Sequence, residues 1–179
     1  MVTITLCVLS KNSAKEVIES LSSFIPIIDY FYVMDMHSED DTVQSIREWF
    51  ENNLLNGIVE TYPSSSKSPK IGETYMCNRA KETFPDASYL FYLGYPFFTL
   101  SIADSTFTKD QLTEDVYSLI WSFDDGNGRN IDSRVTILLK YTTNMTRDGL
   151  MTLTYFSDNY VRSNTKKLNS LRLHSKKSL

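Results

Sequence analysis

The sequence is poor in the residues that define disulfide scaffolds, zinc sites and membrane spans. It has two cysteines in 179 residues, Cys7 and Cys77, with no CxxC pair and no cluster of cysteine and histidine. We therefore expect neither a disulfide framework nor a zinc site, and we expect a reducing, cytoplasmic compartment. No apolar run approaches the roughly 20 residues that cross a bilayer, so we expect no transmembrane segment.

The end of the chain lacks acidic residues. The net charge is −4, yet residues 161–179 carry six of the 18 lysines and arginines and none of the 22 aspartates and glutamates. We interpret this segment as a basic, solvated C-terminal tail. The alternative is a contact for phosphate, an acidic partner or a membrane surface. We expect no nucleic-acid partner.

The first hundred residues alternate between short apolar runs and amphipathic segments, within a composition typical of one globular domain. The predicted strands cover residues 2–9, 30–34, 57–62 and 88–93, and the predicted helices cover residues 17–24, 42–50 and 72–83. The opening run lacks a basic leader and a cleavage pattern, so we interpret it as a strand and not as a signal peptide. This alternation predicts a doubly wound parallel sheet with helices on both faces.

The pattern changes after Pro96. Residues 116–123 and 134–141 are predicted strands, and the Gly- and Asp-rich linker between them favours a hairpin. A helical turn is predicted at 108–114 and a further strand at 151–156. The second half is therefore expected to be small and mixed or antiparallel. An exposed strand edge there would let two copies pair, so a homo-oligomer is among the expected partners.

The predicted sheet also indicates where a ligand binds. In open α/β sheets, ligands occupy the carboxyl ends of the strands, near the point where the strand order switches. This rule points to residues 10–12, 35–41 and 94–96, which follow three predicted strands. It predicts the place of a site and not its chemistry.

Three motifs occupy these places and the helix between them. Ile4-Thr5-Leu6-Cys7-Val8-Leu9-Ser10-Lys11-Asn12 is an apolar strand with a polar turn, and Val33-Met34-Asp35-Met36-His37-Ser38-Glu39-Asp40-Asp41-Thr42 ends a strand on an aspartate before an acidic loop. Gly72-Glu73-Thr74-Tyr75-Met76-Cys77-Asn78-Arg79-Ala80 opens a helix with glycine and continues to Asn-Arg-Ala. In this order the motifs resemble those of GT-A-type, family-2-like glycosyltransferases, over roughly residues 2–100.

The resemblance implies an α/β, GT-A-like (Rossmann-like) three-layer sandwich with a mostly parallel sheet. Residues 1–100 would form the half that binds a nucleotide-sugar. Residues 101–160 would form a β-rich acceptor-side half of the same domain, followed by the basic tail at 161–179.

The resemblance also implies residues that contact the nucleotide. Asp35 is the candidate for base recognition, since a strand-end carboxylate can accept a hydrogen bond from a uracil imide; the alternative is a turn or cap aspartate. Arg79 is a candidate partner for a phosphate or for Asp35, and the alternative is a surface ion pair. His37 is either a substrate contact or a solvated loop residue. The predicted nucleotide-binding set is Leu9, Ser10, Lys11, Asn12, Asp35, His37 and Arg79.

One motif of the family is missing. The strand that matches residues 89–93 ends, in this family, in an Asp-x-Asp that holds a divalent metal on the nucleotide's phosphates. Here the chain continues Leu93-Gly94-Tyr95-Pro96, which offers no carboxylate to Mn²⁺ or Mg²⁺. The metal ligands are therefore unassigned, and Gly94 and Tyr95 are predicted substrate contacts. The diphosphate would then depend on helix N-termini or on cations, for which the candidates are Lys11, Lys67, Lys70 and Arg79.

The catalytic base is predicted on the acceptor side. An inverting transfer needs a carboxylate or histidine within reach of the acceptor hydroxyl. Asp124 and Asp125 follow an apolar strand and are the predicted catalytic residues, although the same residues are ordinary turn formers.

Three functions remain open. The first is a glycosyltransferase that moves a sugar from a UDP-type nucleotide-sugar to an acceptor hydroxyl. The second is a degenerate nucleotide-sugar-binding module without transferase activity, and the third is an unrelated doubly wound interaction domain. The missing carboxylates make binding a safer prediction than transfer.

Overall fold

A computed structural model describes residues 1–63, 69–94, 96, 98–114, 116–124, 130–140 and 166–175. The strands are β1 (Ile4–Ser10), β2 (Tyr30–Asp35), β3 (Gly57–Thr61), β4 (Tyr89–Gly94), β5 (Phe98–Ile102), β6 (Val116–Asp124), β7 (Asn130–Lys140) and β8 (Lys166–Ser175). The helices are α1 (Ala14–Phe24), α2 (Thr42–Asn52) and α3 (Pro69–Thr83), with a 3₁₀ turn at Lys109–Gln111. Within these ranges, no helix is long and apolar enough to cross a membrane.

The described strands form one sheet in the order β3-β2-β1-β4-β7-β6-β8-β5. β1 to β4 run parallel to one another, as their alternation with helices predicts. β7 is antiparallel to both β4 and β6, while β8 is parallel to β6 and antiparallel to β5. The predicted α/β class, with a mostly parallel sheet and a smaller mixed second half, is confirmed.

Helices cover both faces of the parallel part. On one face Val8 of β1 packs in a cluster with Leu21 of α1 and Phe50 of α2, and on the other Cys7 packs with Met76 of α3. Successive side chains of a strand point to opposite faces, so the continuous apolar run of β1 requires cover on both. The three-layer arrangement is therefore the one that the sequence predicts.

The second half is partly as predicted. β6 and β7 pair antiparallel, from Val116 opposite Leu139 to Asp124 opposite Asn130, which confirms the hairpin-like pair. The 3₁₀ turn confirms a helical turn within 108–114. The strand predicted at 151–156 lies outside the described residues.

The prediction of a solvated tail at 161–179 is wrong for its central part. Lys166–Ser175 forms β8, which lies between β6 and β5 inside the sheet. Leu171 is fully buried, and Leu173 is 2% exposed. These leucines alternate with Arg172 and His174, so one face of the strand joins the apolar core while the other keeps its polar groups. The basic residues of this segment therefore do not prevent it from folding.

β5 connects the far edge of the sheet to α1. The hydroxyl of Ser20 donates to the carbonyl oxygen of Phe98 at 2.6 Å, and the backbone N–H of Leu100 donates to Ser23 Oγ at 2.9 Å. Since α1 also packs on β1, the sheet curves until its last strand meets the helix that follows its first. This curvature brings the second half back toward the carboxyl end of β1.

Candidate functional site

The candidate site lies at the carboxyl ends of the neighbouring strands β1 and β4. β2 and β3 extend from one side of β1 and β4 lies on the other, so the strand order switches between β1 and β4. The carboxyl ends of these strands open a crevice at such a switch point. Leu9 and Ser10 end β1 and are fully buried, and Gly94 ends β4. The structure thus places these three predicted residues at one crevice.

The loops after β1 and β2 are held together by hydrogen bonds. The backbone N–H of Asn12 donates to Ser38 Oγ at 2.8 Å, and the N–H of Glu39 donates to Asn12 Oδ1 at 2.8 Å. The N–H of Met36 also donates to the carbonyl oxygen of Ser10 at 2.8 Å. Two loops that are distant in sequence therefore form one surface at the crevice.

Asp35 lies beneath this surface. It is 1% exposed, and its carboxylate accepts the backbone N–H of Ser38 at 3.0 Å as well as the Ser38 hydroxyl. A buried carboxylate requires such donors, because an unpaired buried charge is strongly destabilising. The geometry shows Asp35 as the aspartate of a turn, and its contact with a base stays a prediction.

A second set of bonds fixes the start of α2 against the β1 loop. Thr42 is fully buried, and its hydroxyl accepts the backbone N–H of Ser13 at 3.0 Å. The N–H of Thr42 donates to Asp40 Oδ1 at 3.0 Å, and hydrogen bonding from Thr42 lowers the pKa of Asp40. The two loops are consequently tied at both ends.

Lys11, Asn12 and His37 are the exposed predicted residues of this surface. Asn12 has a φ of 46° and His37 a φ of 59°, in the left-handed region that residues other than glycine rarely adopt. Such outliers persist only where neighbouring contacts fix them, and they are frequent at ligand sites. Here the hydrogen bonds through Ser38 fix both loops, so the backbone that carries the side chains a ligand would meet is held in place.

The end of β4 does not fit a divalent metal. Gly94 has a φ of 65°, and a Cβ at this position would lie 3.2 Å from the Tyr92 hydroxyl, so the position favours glycine. No group of three His, Cys, Asp or Glu side chains in the described ranges is arranged to hold a metal ion. Tyr95 lies outside the described residues. The described residues therefore offer no oxygen ligands where the family motif would place them.

Arg79 belongs to α3, where its guanidinium meets two carboxylates. Its guanidinium contacts Glu60 at 3.1 Å and Glu82 at 2.6 Å, and these hydrogen bonds raise its pKa. The hydroxyl of Tyr32 donates to Glu60 Oε2 at 2.6 Å. The ion-pair alternative is thus what the structure shows for Arg79, whose contact with a nucleotide stays a prediction.

This network shifts the pKa values of its other members. Burial, followed by the hydrogen bond with Glu60, raises the pKa of Tyr32. Burial acts to raise the pKa of Glu60 as well, but the hydrogen bonds from Tyr32 and Arg79 outweigh it and the pKa is lowered. Glu60 is therefore held as a carboxylate between a phenol and a guanidinium.

Asp124 is the last residue of β6, opposite Asn130. β6 runs in the same direction as β4, so Asp124 lies at the same edge of the sheet as Gly94, with β7 between the two strands. Asp125 lies outside the described residues. The catalytic role of both aspartates stays a prediction.

Ser38 is the residue of this site that the sequence analysis missed. It contacts both Asp35 and Asn12, and so joins the two loops. Its signal was the spacing Asp-x-x-Ser, because a serine three residues after an aspartate is well placed to bond the carboxylate in a turn.

No family model and no curated protein matches the sequence. Solved structures match through their fold. S. aureus TarS 1-349 in complex with UDP has a TM-score of 0.53 and 22% identity, covering 73% of this chain and 38% of that one. A putative glucose-1-phosphate thymidylyltransferase from Bacillus anthracis, in complex with a sucrose, has a TM-score of 0.57 and 10% identity, covering 93% and 87%.

These similarities establish the fold. Full S. aureus TarS, with a TM-score of 0.51 and 20% identity over 72% of this chain, agrees with them. This chain spans 38% of the TarS fragment and 23% of the full TarS chain. Fold alone does not dictate chemistry, so the activity has to be argued from the crevice.

Proposed function

We propose that this chain binds a UDP-type nucleotide-sugar in the crevice between β1 and β4 and transfers its sugar to an acceptor hydroxyl. The observation that carries the proposal is the joined surface formed by the loops after β1 and β2, at the switch point of the sheet. In this fold class that is where nucleotides bind. The UDP in the structure of TarS, which has the same fold, supports the choice of nucleotide.

Each exposed residue of the surface has a role in the proposal. The backbone of residues 9–12 faces the base or ribose, and Lys11 supplies positive charge to the diphosphate. Asp35 orients the loop through Ser38 and offers its remaining lone pairs to the uracil imide. His37 contacts the donor from the β2 loop. Gly94 and Tyr95 border the sugar. The general base of the transfer belongs to the acceptor side, where Asp124 and Asp125 are the sequence-based candidates.

The second candidate function is a nucleotide-sugar-binding module without transferase activity. The end of β4 favours it, because Gly94 stands where the family has a metal-binding carboxylate. Without a metal, the leaving diphosphate depends on cations such as Lys11 for charge neutralisation. Binding without turnover would support this second function.

Calorimetry with uridine, UDP and UDP-glucose, each with and without Mn²⁺, tests the proposal. We expect UDP to bind more tightly than uridine, and we expect Lys11→Met to weaken UDP about tenfold while leaving uridine unchanged, because only UDP carries the diphosphate. Lys15→Met, which removes an equally exposed charge from α1, is the matched control.

The outcomes separate the candidate functions. UDP affinity with release of the sugar from UDP-glucose supports the transferase, and affinity without release supports the binding module. Absence of binding for all three ligands would rule out both and leave an interaction domain. Affinity that rises steeply with Mn²⁺ would show that carboxylates elsewhere in the chain bind the metal.

A further inference from the structure

His174, the second histidine of the chain, lies on the polar face of β8. Leu171 and Leu173 point into the core, whereas His174 is exposed. Side chains alternate across a strand, so Arg172 and His174 share the opposite face. β8 pairs with β5 and β6, which lie in the half that the proposed function assigns to the acceptor.

A hydrogen bond orients the imidazole. Ser101 Oγ lies 2.8 Å from His174 Nε2, across the antiparallel pair of β5 and β8. When Nε2–H donates to Ser101 Oγ, Nδ1 carries the lone pair of the neutral ring. Ser101 is the partner of this ring among the described residues, and His174 is exposed, so the proposal assigns Nδ1 to a hydroxyl from outside.

The register places His174 near the predicted catalytic edge. It pairs with Ser122 on β6, and Asp124 lies two residues farther along that strand. β8 runs parallel to β6, so both strands end at the edge where β1 and β4 also end. His174 also pairs with Thr99, which follows the Phe98 whose carbonyl is bonded to α1.

Among the side chains that the structure describes, those sharing the face of His174 carry hydroxyls and one guanidinium. Thr99 and Ser101 face it from β5, Ser122 faces it from β6, and Arg172 is the charged described side chain on the same face of β8. Hydroxyls and a guanidinium are suited to hold a polyhydroxylated acceptor next to the ring. These groups make this face of β8 suitable for binding an acceptor next to a general base.

We propose that His174 is the general base of the transfer and that Ser101 positions it. The inference rests on the proposed transferase function. In a direct displacement the acceptor oxygen forms a bond to the anomeric carbon while its proton passes to His174 Nδ1. The bond from the anomeric carbon to the phosphate oxygen breaks, its electron pair leaves with UDP, and the imidazolium then returns the proton to solvent.

The test follows UDP release from UDP-glucose, with water as the acceptor, across pH 5 to 9. His174→Gln is expected to lower kcat about 100-fold or more with little change in KM, and to remove the acid limb of the pH profile. Imidazole added to His174→Ala is expected to restore part of the rate. Ser101→Ala is expected to lower kcat less and to keep the acid limb, as befits a positioning residue.

Asn169→Ala, at an exposed position of the same strand, is the control for a general disturbance of β8. A His174→Gln rate within twofold of the unaltered chain would overturn the inference, as would a loss of rate in Asp124→Asn alone. Calorimetry with UDP on the same proteins keeps the two proposals distinct. Turnover that persists in His174→Gln overturns the role of His174 alone, whereas UDP binding without any turnover of the unaltered chain, or absence of UDP binding, overturns the proposed transferase itself.

Discussion

The parallel part of the sheet and the mixed part are built by different means. β1, β2, β3 and β4 are joined by helices that return each strand beside an earlier one, and β1, β2 and β4 are apolar enough to be buried on both faces. The mixed part instead joins strands that are far apart in the chain, since Phe98 of β5 pairs with Ser175 of β8. In β8 buried leucines alternate with polar residues, so this strand faces the core on one side only.

This difference separates two tasks. The parallel part forms a crevice whose loops are fixed by Asp35 and Ser38, which suits a ligand that must be bound in one orientation. The mixed part has a polar face along β8, to which the proposed function assigns the contacts with an acceptor. Three predictions follow for the stability and UDP affinity of variants in the two parts.

The largest effect is expected in the core that the two parts share. Leu171→Ala in β8 should lower the free energy of unfolding by about 2–5 kcal/mol, as should Leu6→Ala in β1, because both leucines are fully buried. Chemical denaturation measures both. A Leu171→Ala effect below about 0.5 kcal/mol, similar to that of an exposed Asn169→Ala, would mean that β8 does not pack against the core shared with the parallel part.

An intermediate effect is expected at the joint of the two crevice loops. Ser38→Ala removes the hydroxyl that donates to the buried Asp35 carboxylate and accepts the Asn12 N–H, while the backbone N–H of residue 38 still donates to Asp35, so the free energy of unfolding should fall by about 1–3 kcal/mol. UDP affinity should fall with it, because the loop surface loses its fixed geometry. Ser22→Ala, whose exposed hydroxyl bonds only within α1, is the matched control. Equal effects of the two substitutions would contradict the role of Ser38.

The smallest effect is expected on the α3 face. The lowered pKa of Glu60 means that its ionised form stabilises the folded chain above the unfolded pKa of about 4.3, and that this contribution is lost as the pH falls through the folded pKa. Because its side chain is 33% exposed, Glu60→Gln should cost less than about 1 kcal/mol at pH 7. The difference between the variant and the unaltered chain should shrink below pH 4. A difference that grows toward acid pH would contradict the assigned sign.

The parallel part was predictable because its signals are local. A continuous apolar run such as Ile4–Ser10, followed by an amphipathic helix, fixes both the strand and its neighbours. The hairpin-like pair of β6 and β7 was predictable for the same reason. β8 was not, because the lysines at its start favour a solvated tail, and the alternation in Leu171-Arg172-Leu173-His174 is short. Its partner β5 is distant in sequence, and no local pattern records that pairing.

The candidate site also has features that the sequence predicts and contacts that it does not. The rule of strand ends located residues 9–12 and Asp35 at the crevice, since it depends only on topology. It did not show that the Asp35 carboxylate is already bonded to Ser38, or that Arg79 is held by Glu60 and Glu82, because these contacts depend on side-chain geometry. The pairing of Ser101 with His174 joins strands that only the folded chain brings together.

The insertion of β8 between β5 and β6 has a consequence for synthesis on the ribosome. A chain emerging from its amino end exposes β5 and β6 long before Lys166–Ser175 leaves the exit tunnel, so both strands wait with unpaired edges. The parallel part meets no such delay, because each of its strands finds an earlier neighbour. In a nascent chain stalled before residue 166, we therefore expect the parallel part to be folded and the mixed part to be prone to aggregation and to bind chaperones.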